Sequence, residues 1–326
     1  MKALLKILTI FLTLMFIASC SKAKNNESDY PNEKLDFVAP SGVGGGWDLT
    51  IRTVAKVLSD TKIVKVPINV RNVTGESGAV HLEAMQNKKG DAYTITVFSP
   101  PIIFINLNGT TRYSFRNLKP LANLIADYGA FVVRADSKYE TINDVMDDLK
   151  VNPKSVKIGG FSSVGSMDHI QFLIVAKAAG VYNLNRIDYI SFDDNPANQL
   201  LEGNIDLFST SLADIMGLVA RGDLKVLAQT ADRRIGTGIK REIPTCIEQG
   251  IDAVFVNWRG LFGAPDMPEY AFDYWTNALA QLKDTREWKD ACHQFDWDEY
   301  YLDSEDFVRF LEKSEEDYAV MLDILR

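Results

Sequence analysis

The 326-residue chain is poor in the residues that build metal centres, disulfide scaffolds and membrane spans. It has three histidines and three cysteines. His81, His169 and His293 are scattered, without the local spacing of a zinc or haem site. Cys246 and Cys292 stand far apart, which favours two separate buried thiols over a disulfide. The apolar run at residues 7–17 is about 11 residues long, where a spanning helix needs roughly 20. Basic residues are also short, 35 against 44 acidic ones, for a net charge of −9. That balance argues against a nucleic-acid partner. An anionic ligand would need a site that makes its own positive potential. No Gly-Lys-Ser/Thr follows the glycine cluster, so a nucleotide-hydrolysing P-loop is excluded. There is no Gly-x-Ser-x-Gly elbow for a hydrolase nucleophile, and no repeat of 20–50 residues.

What is present starts at the amino terminus. Lys2 and Lys6, the apolar run, and then Ala18, Ser19 and Cys20 give the charge, core and small-residue order of a secretory signal. Ile17-Ala-Ser-Cys20 resembles the lipobox of bacterial lipoproteins, which implies a diacylated Cys20 as the mature first residue. Several acyl chains would hold the protein stably at a membrane. Loss of the two lysines takes the charge to about −11. Residues 21–35 are polar and read as a flexible tether. About 290 residues remain, too many for one comfortable core and natural for two domains.

From Leu35 onward, short β-branched runs alternate with helical patterns, the signal for α/β units with largely parallel sheets. Strands are expected at residues 35–39, 67–71, 93–98, 129–134, 156–159, 204–209, 224–230 and 255–262. Helices are expected at 48–58, 79–86, 142–149, 166–179 and 305–325. In the last of these, Phe307, Phe310, Leu311, Tyr318, Met321, Leu322 and Leu325 form one stripe, read as core packing.

Two strand-to-helix turns carry the chemistry. In Pro40-Ser-Gly-Val-Gly-Gly-Gly-Trp-Asp48, four glycines occupy five positions. Glycine lets free amides approach a ligand, and the helix start adds about half a positive charge, which suits an anion. Asp48 favours the helix dipole and could hold a water or the loop itself. The same glycines offer an alternative, an exported enzyme binding a dinucleotide. Trp47, however, takes the place of the third glycine, and the next strand ends in Arg71-Asn72 with no acid for a ribose. The second turn is Gly159-Gly-Phe-Ser-Ser-Val-Gly-Ser-Met-Asp-His169. Ser162, Ser163 and Ser166 could donate hydroxyl bonds and His169 an imidazole N–H. Taken singly, Ser166 reads as a helix cap and His169 as a half-buried surface residue.

Pro40 to Asp48, Asn72 to Ala79, Gly165-Ser-Met-Asp-His169, Trp258-Arg-Gly-Leu-Phe-Gly-Ala-Pro265 and Tyr301 to Leu311 together resemble the tripartite tricarboxylate transporter substrate-binding proteins. The resemblance runs from about residue 36 to the end. It implies a two-domain periplasmic-binding-protein fold, a type II-like Venus flytrap, with mixed, largely parallel sheets and a hinge of two crossing segments. It implies a monomeric receptor without cofactor or catalysis, which takes a small tricarboxylate or dicarboxylate to a large and a small membrane subunit. Carried over position by position, the ligand residues are Val43, Gly44, Gly45, Gly46, Trp47 and Asp48, with Ser99 and Pro100 beside them. Ser162, Ser163, Gly165, Ser166 and His169 form the facing set, and Asp194 lines the cleft from the 192–195 stretch. Arg259 is either the partner of a distal carboxylate or an interdomain salt bridge. Domain 1 is expected at residues 36–130 plus 254–326, and domain 2 at 131–253. Glu76 and Ser77, and the Ser99-Pro100-Pro101 run, depart from the family pattern.

Overall fold

The computed structural model describes residues 29–192 and 196–325. The expected signal segment, Cys20 and Asp194 lie outside the described residues. Two mixed sheets share one strand, and everything that positions the site follows from that strand.

The first lobe opens with β1 (Leu35–Ala39), α1 (Gly46–Asp60), β2 (Ile68–Asn72), α2 (Ala79–Met85), β3 (Thr94–Phe98) and α3 (Pro101–Leu107). β1 lies parallel between β2 and β3. The shared strand, β4, runs Lys119–Arg134 and is buried along almost its whole length. Its first part pairs antiparallel with β9 (Val256–Gly263) up to Tyr128, opposite Val256. From Gly129 it pairs instead with β7 (Leu207–Ser211) and β8 (Leu224–Gln229). The switch of partners falls between Tyr128 and Gly129, and only the second part of β4 is legible as a separate strand in the sequence.

The second lobe contains α4 (Ile142–Val151), β5 (Ile158–Gly160), α5 (Met167–Ala178), β6 (Tyr189–Ser191), α6 (Pro196–Leu201), β7, α7 (Leu212–Ala220), β8 and α8 (Ile239–Glu242). β5 lies parallel between β6 and β7. Each sheet therefore has a parallel three-stranded part, and the antiparallel pairs come from the crossing strands and their neighbours. Thr141 starts α4 as the sequence suggests: its hydroxyl accepts the Asp144 amide while Asp144 reaches back to the Thr141 amide.

The chain then returns through β9 to α9 (Glu269–Leu282), α10 (Arg286–Gln294), β10 (Asp298–Leu302) and α11 (Ser304–Leu325). One core packs α1, α9 and α10 on one face of the first sheet. On the other face, a larger core joins α2, α3 and the α11 stripe to Phe131, Ile158 and Phe172 of the second lobe. The α11 stripe is core, as its spacing predicts, and it spans both lobes. Phe307 touches Gly260 so closely that a Cβ there would lie 2.2 Å from its ring. Phe307 is fully buried, so truncation to Ala would cost about 3–5 kcal/mol. Cys246 and Cys292 are separate, free and buried.

Candidate ligand site

The two turns singled out in the sequence share one set of backbone bonds. In loop 1 the Gly45 amide donates to the Gly42 carbonyl, and Leu49 N–H to the Gly45 carbonyl. In loop 2 the Ser166 amide donates to the Ser163 carbonyl, and Ile170 N–H to the Ser166 carbonyl. Gly44 and Gly165 occupy the same place with φ of +81° and +77°, a left-handed conformation that glycine adopts without steric cost. Each sends its amide forward to the side chain four residues on. Gly44 N–H donates to Asp48 Oδ2 at 2.9 Å, and Gly165 N–H to His169 Nδ1 at 3.0 Å. Val43 corresponds to Val164, and both tips are exposed.

Asp48 is buried at the start of α1 and holds the loop itself. Its Oδ1 accepts Arg52 Nε at 2.7 Å and Asn72 Nδ2 at 2.8 Å. Burial raises its pKa, but the bonds from Gly44, Asn72 and Arg52 outweigh that and leave the carboxyl below its ordinary range. Trp47 packs edge-on against Phe98, and its indole donates to Ser99 Oγ at 2.9 Å. Ser99 thus positions Trp47. Pro100 occupies the cap position before α3, where the sequence suggests only a stiff loop. Arg71, near the end of β2, gives its Nε to Asp36 at 2.9 Å.

In loop 2, Ser166 sits at the amino end of α5, but its hydroxyl makes no capping bond. Ser162 Oγ accepts the Asp168 amide at 2.7 Å, and Asp168 Oδ2 accepts the amides of Phe161 and Ser162. Burial pushes the Asp168 carboxyl up to about 6 against those two bonds. His169 is buried, not half-buried, because Tyr189 stacks on its ring at 4.3 Å. It accepts at Nδ1, so the neutral ring carries its proton on Nε2, which has no partner among the described residues. Burial lowers its pKa to about 4.

One strand brings the loops together. Residues 257 and 259 share a face of β9, about 7 Å apart. Arg259 Nη1 donates to the Gly46 carbonyl at 3.2 Å and Thr50 Oγ1 at 3.1 Å, on loop 1 and its helix. Asn257 lines a hollow of about 150 Å³ with Met167 and Asp168 of loop 2. No carboxylate of the described residues lies within ion-pairing distance of Arg259; its electrostatic neighbours are Asp127 and Asp214. The salt-bridge alternative for Arg259 is thus not formed in this structure. Burial lowers its pKa, and the two aspartates act against that.

Sequence reasoning missed Asp127, Gln171, Asp214 and Asn257. Asn257 directly precedes the recognised Trp-Arg-Gly motif, and its place two residues from Arg259 on a strand is the signal that could have found it. Gln171 and Asp214 become neighbours at the end of β7, and Asp127 joins them where β4 passes from one sheet to the other.

A family model described as "Tripartite tricarboxylate transporter family receptor" matches residues 50–323. The "UPF0065 protein in gbd 5'region" of Cupriavidus necator is 25% identical over 296 residues, 88% of this chain and 86% of that protein. Among solved structures, a TctC solute-binding protein from Polaromonas superposes with a TM-score of 0.77. It is 25% identical and covers 90% of this chain and 99% of its own. R. palustris Rpa4515, solved with adipate, superposes with a TM-score of 0.72 at 19% identity, over 91% and 98% of the two chains. At that identity the likeness speaks for the fold.

Proposed function

The chain belongs to the tripartite tricarboxylate transporter family of receptors, and from that premise we propose that it captures a small carboxylate between its lobes and delivers it to a large and a small membrane subunit. The observation that carries this reading is the duplicated loop. Each lobe offers a left-handed glycine and a helix start, and residues on a single face of β9 reach towards both. The adipate bound by R. palustris Rpa4515 fits the same reading.

Loop 1 would take one carboxylate on the amides of Gly46 and Trp47 at the start of α1, with Gly45 holding the turn and Val43 closing over it. There the α1 dipole and Arg259 supply the positive potential that the acidic chain lacks overall. Loop 2 would take the other end of the ligand through the hydroxyls of Ser163 and Ser166 and the amino end of α5, with Gly165 holding the turn through His169. Asp48, Ser99, Ser162 and His169 would act by holding the loops, and Asp194 would line the cleft. The hinge would lie where β4 changes sheets, at residues 128–129, and where the chain re-enters the first lobe at 254–256. A ligand that binds the closed form better than the open one shifts the population towards closure, and the membrane subunits would read the closed shape.

The protein would be exported as a monomer and held at the membrane by acylated Cys20. Incorporation of labelled palmitate that is lost on Cys20→Ser supports the anchor; unchanged labelling refutes it. For the ligand, a thermal-shift screen of the refolded protein against di- and tricarboxylates is direct. A ligand at a hundred times its Kd adds about 2.7 kcal/mol to stability. A shift with one carboxylate class, lost in Gly44→Val, supports the receptor. Silence from all of them refutes it.

A further inference from the structure

The strands that cross between the lobes have two faces, and the one turned from the ligand loops carries charges that capture leaves unused. Residues directly opposite in an antiparallel ladder share a face, and the faces alternate along each strand. Asp127 lies opposite Asn257 and Ile125 opposite Arg259, so these odd-numbered residues share the face that meets the loops. Ala126 lies opposite Trp258 and Tyr128 opposite Val256, on the reverse. There Ala126, Tyr128 and Val256 pack with Ile235 and Ile243 of the second lobe and Tyr300 of the first. Asp298, opposite Ala126 on β10, shares this reverse face and accepts the Tyr128 hydroxyl at 3.4 Å.

Two ion pairs join the lobes here. Arg233 Nη2 reaches Asp298 Oδ2 at 3.3 Å, but the arginine is exposed and such a pair is weak. The other pair has a buried partner. Lys240, on α8 of the second lobe, is 4% exposed. Its Nζ donates at 2.6 Å to Oδ2 of Asp296, in the turn between α10 and β10 of the first lobe. The lysine stem passes so close to Gly236 that a Cβ there would lie 2.6 Å from Lys240 Cδ. Asp296 holds φ at +56°, the left-handed position after a helix where glycine is usual. A buried ion pair adds little to stability over an apolar side chain of the same size. Its place across the lobes lets this one act on the hinge instead.

Resting on the receptor reading, we infer that Lys240 and Asp296 form a tether that sets ligand affinity by opposing closure. Rotation about the crossing segments at 128–129 and 254–256 that narrows the loop-facing side widens the reverse. The tether lies on the side that widens, so closing the cleft stretches or breaks it, and part of the ligand's binding energy is spent there. Without the tether the closed form is more populated, and apparent affinity rises with the fraction that is competent to bind. Both are positioning residues, and neither lines the hollow between the loops.

The test is titration calorimetry of the refolded protein and its Lys240→Met and Asp296→Gly variants with succinate, adipate and citrate. Methionine keeps the buried stem, and glycine suits the left-handed position, so each variant removes one charge without backbone strain. The expected result in either variant is about fivefold tighter binding of whichever carboxylate the parent protein takes, with no further gain when the two are combined. Spin labels at Val43→Cys and Val164→Cys should place part of the ligand-free Lys240→Met population at the shorter, ligand-bound distance, which a mere loss of stability does not do. Unchanged or weaker binding in Asp296→Gly, or gains that add in the double variant, would overturn the tether and leave the receptor standing. Binding of none of the three carboxylates by the parent protein removes the receptor reading and this inference with it.

Discussion

Loop 1 and loop 2 close the same ring, a left-handed glycine amide bonded to the fourth side chain on, but with acceptors of different charge. Loop 1 uses Asp48, an anion tied to Arg52 and Asn72. Loop 2 uses His169, a neutral ring under Tyr189. The difference teaches that the backbone geometry is what the lobes share, while the charge around it is set separately. Beside loop 1 stands Arg259; beside loop 2 stand Asp168 and Asp214. The charge beside the two loops thus differs, and Asp214 stands close enough to Arg259 for each to shift the other's pKa.

The largest effect should come from attacking the shared glycine. A Cβ on Gly44 meets nothing within 4 Å, whereas one on Gly165 lies 3.2 Å from Leu322 of α11. Gly44→Val should cost about 2 kcal/mol for the left-handed backbone. Gly165→Val should cost about 3 kcal/mol or more, because the α11 contact must also give. Urea unfolding of the two variants measures this, and equal costs would break the comparison.

Acid separates the loops next. His169 and His81 have folded pKa values lowered to about 4, below the unfolded value of 6.5. Between pH 6.5 and 4 the unfolded chain binds these protons and the native one does not, so stability falls as pH falls. The loss is on the order of 3 kcal/mol per ring at the acid end. Asp168 acts oppositely: its folded value is raised to about 6, so the cost of keeping it ionised is relieved as pH falls below that. His169→Gln should flatten the decline seen in pH-dependent unfolding, and Asp168→Asn should steepen it.

Salt gives a smaller contrast. Asp48→Asn keeps an acceptor for Gly44 but loses the charge that meets Arg52, whose side chain is 43% exposed. The cost should be about 1 kcal/mol in low salt and shrink as salt rises. His169→Gln should show no such dependence in the same titration at pH 7. The smallest effect belongs to the exposed tips. Val43→Ala and Val164→Ala should each change stability by less than about 0.5 kcal/mol, while a change in ligand affinity with either would place that tip over the bound ligand.

Local chemistry was legible in the sequence where it was self-contained. The Thr141 cap, the α11 stripe and the glycine turn before α1 each depend on neighbours a few residues away, and each sits where its pattern puts it. The first part of β4 was not legible as strand, because its pairing with β9 joins residues more than a hundred positions apart. His169 reads as a half-buried donor until Tyr189 covers it. Asp127, Gln171 and Asp214 carry no motif; Gln171 and Asp214 meet at the end of β7, and Asp127 joins them where β4 changes from one sheet to the other. The candidate site was thus readable as two loops but not as one cleft with two ends.

Whether the loops close on one ligand can be measured directly by spin labels on Val43→Cys and Val164→Cys in residues 24–326. Cys246 and Cys292 are buried, and burial pushes both thiols up to about 12, so the labels go to the introduced sites. With the carboxylate identified by thermal shift, the account predicts a shorter distance between labels in the ligand-bound protein, and no shortening when Gly44→Val is added. A distance unchanged by a ligand that demonstrably binds would contradict it.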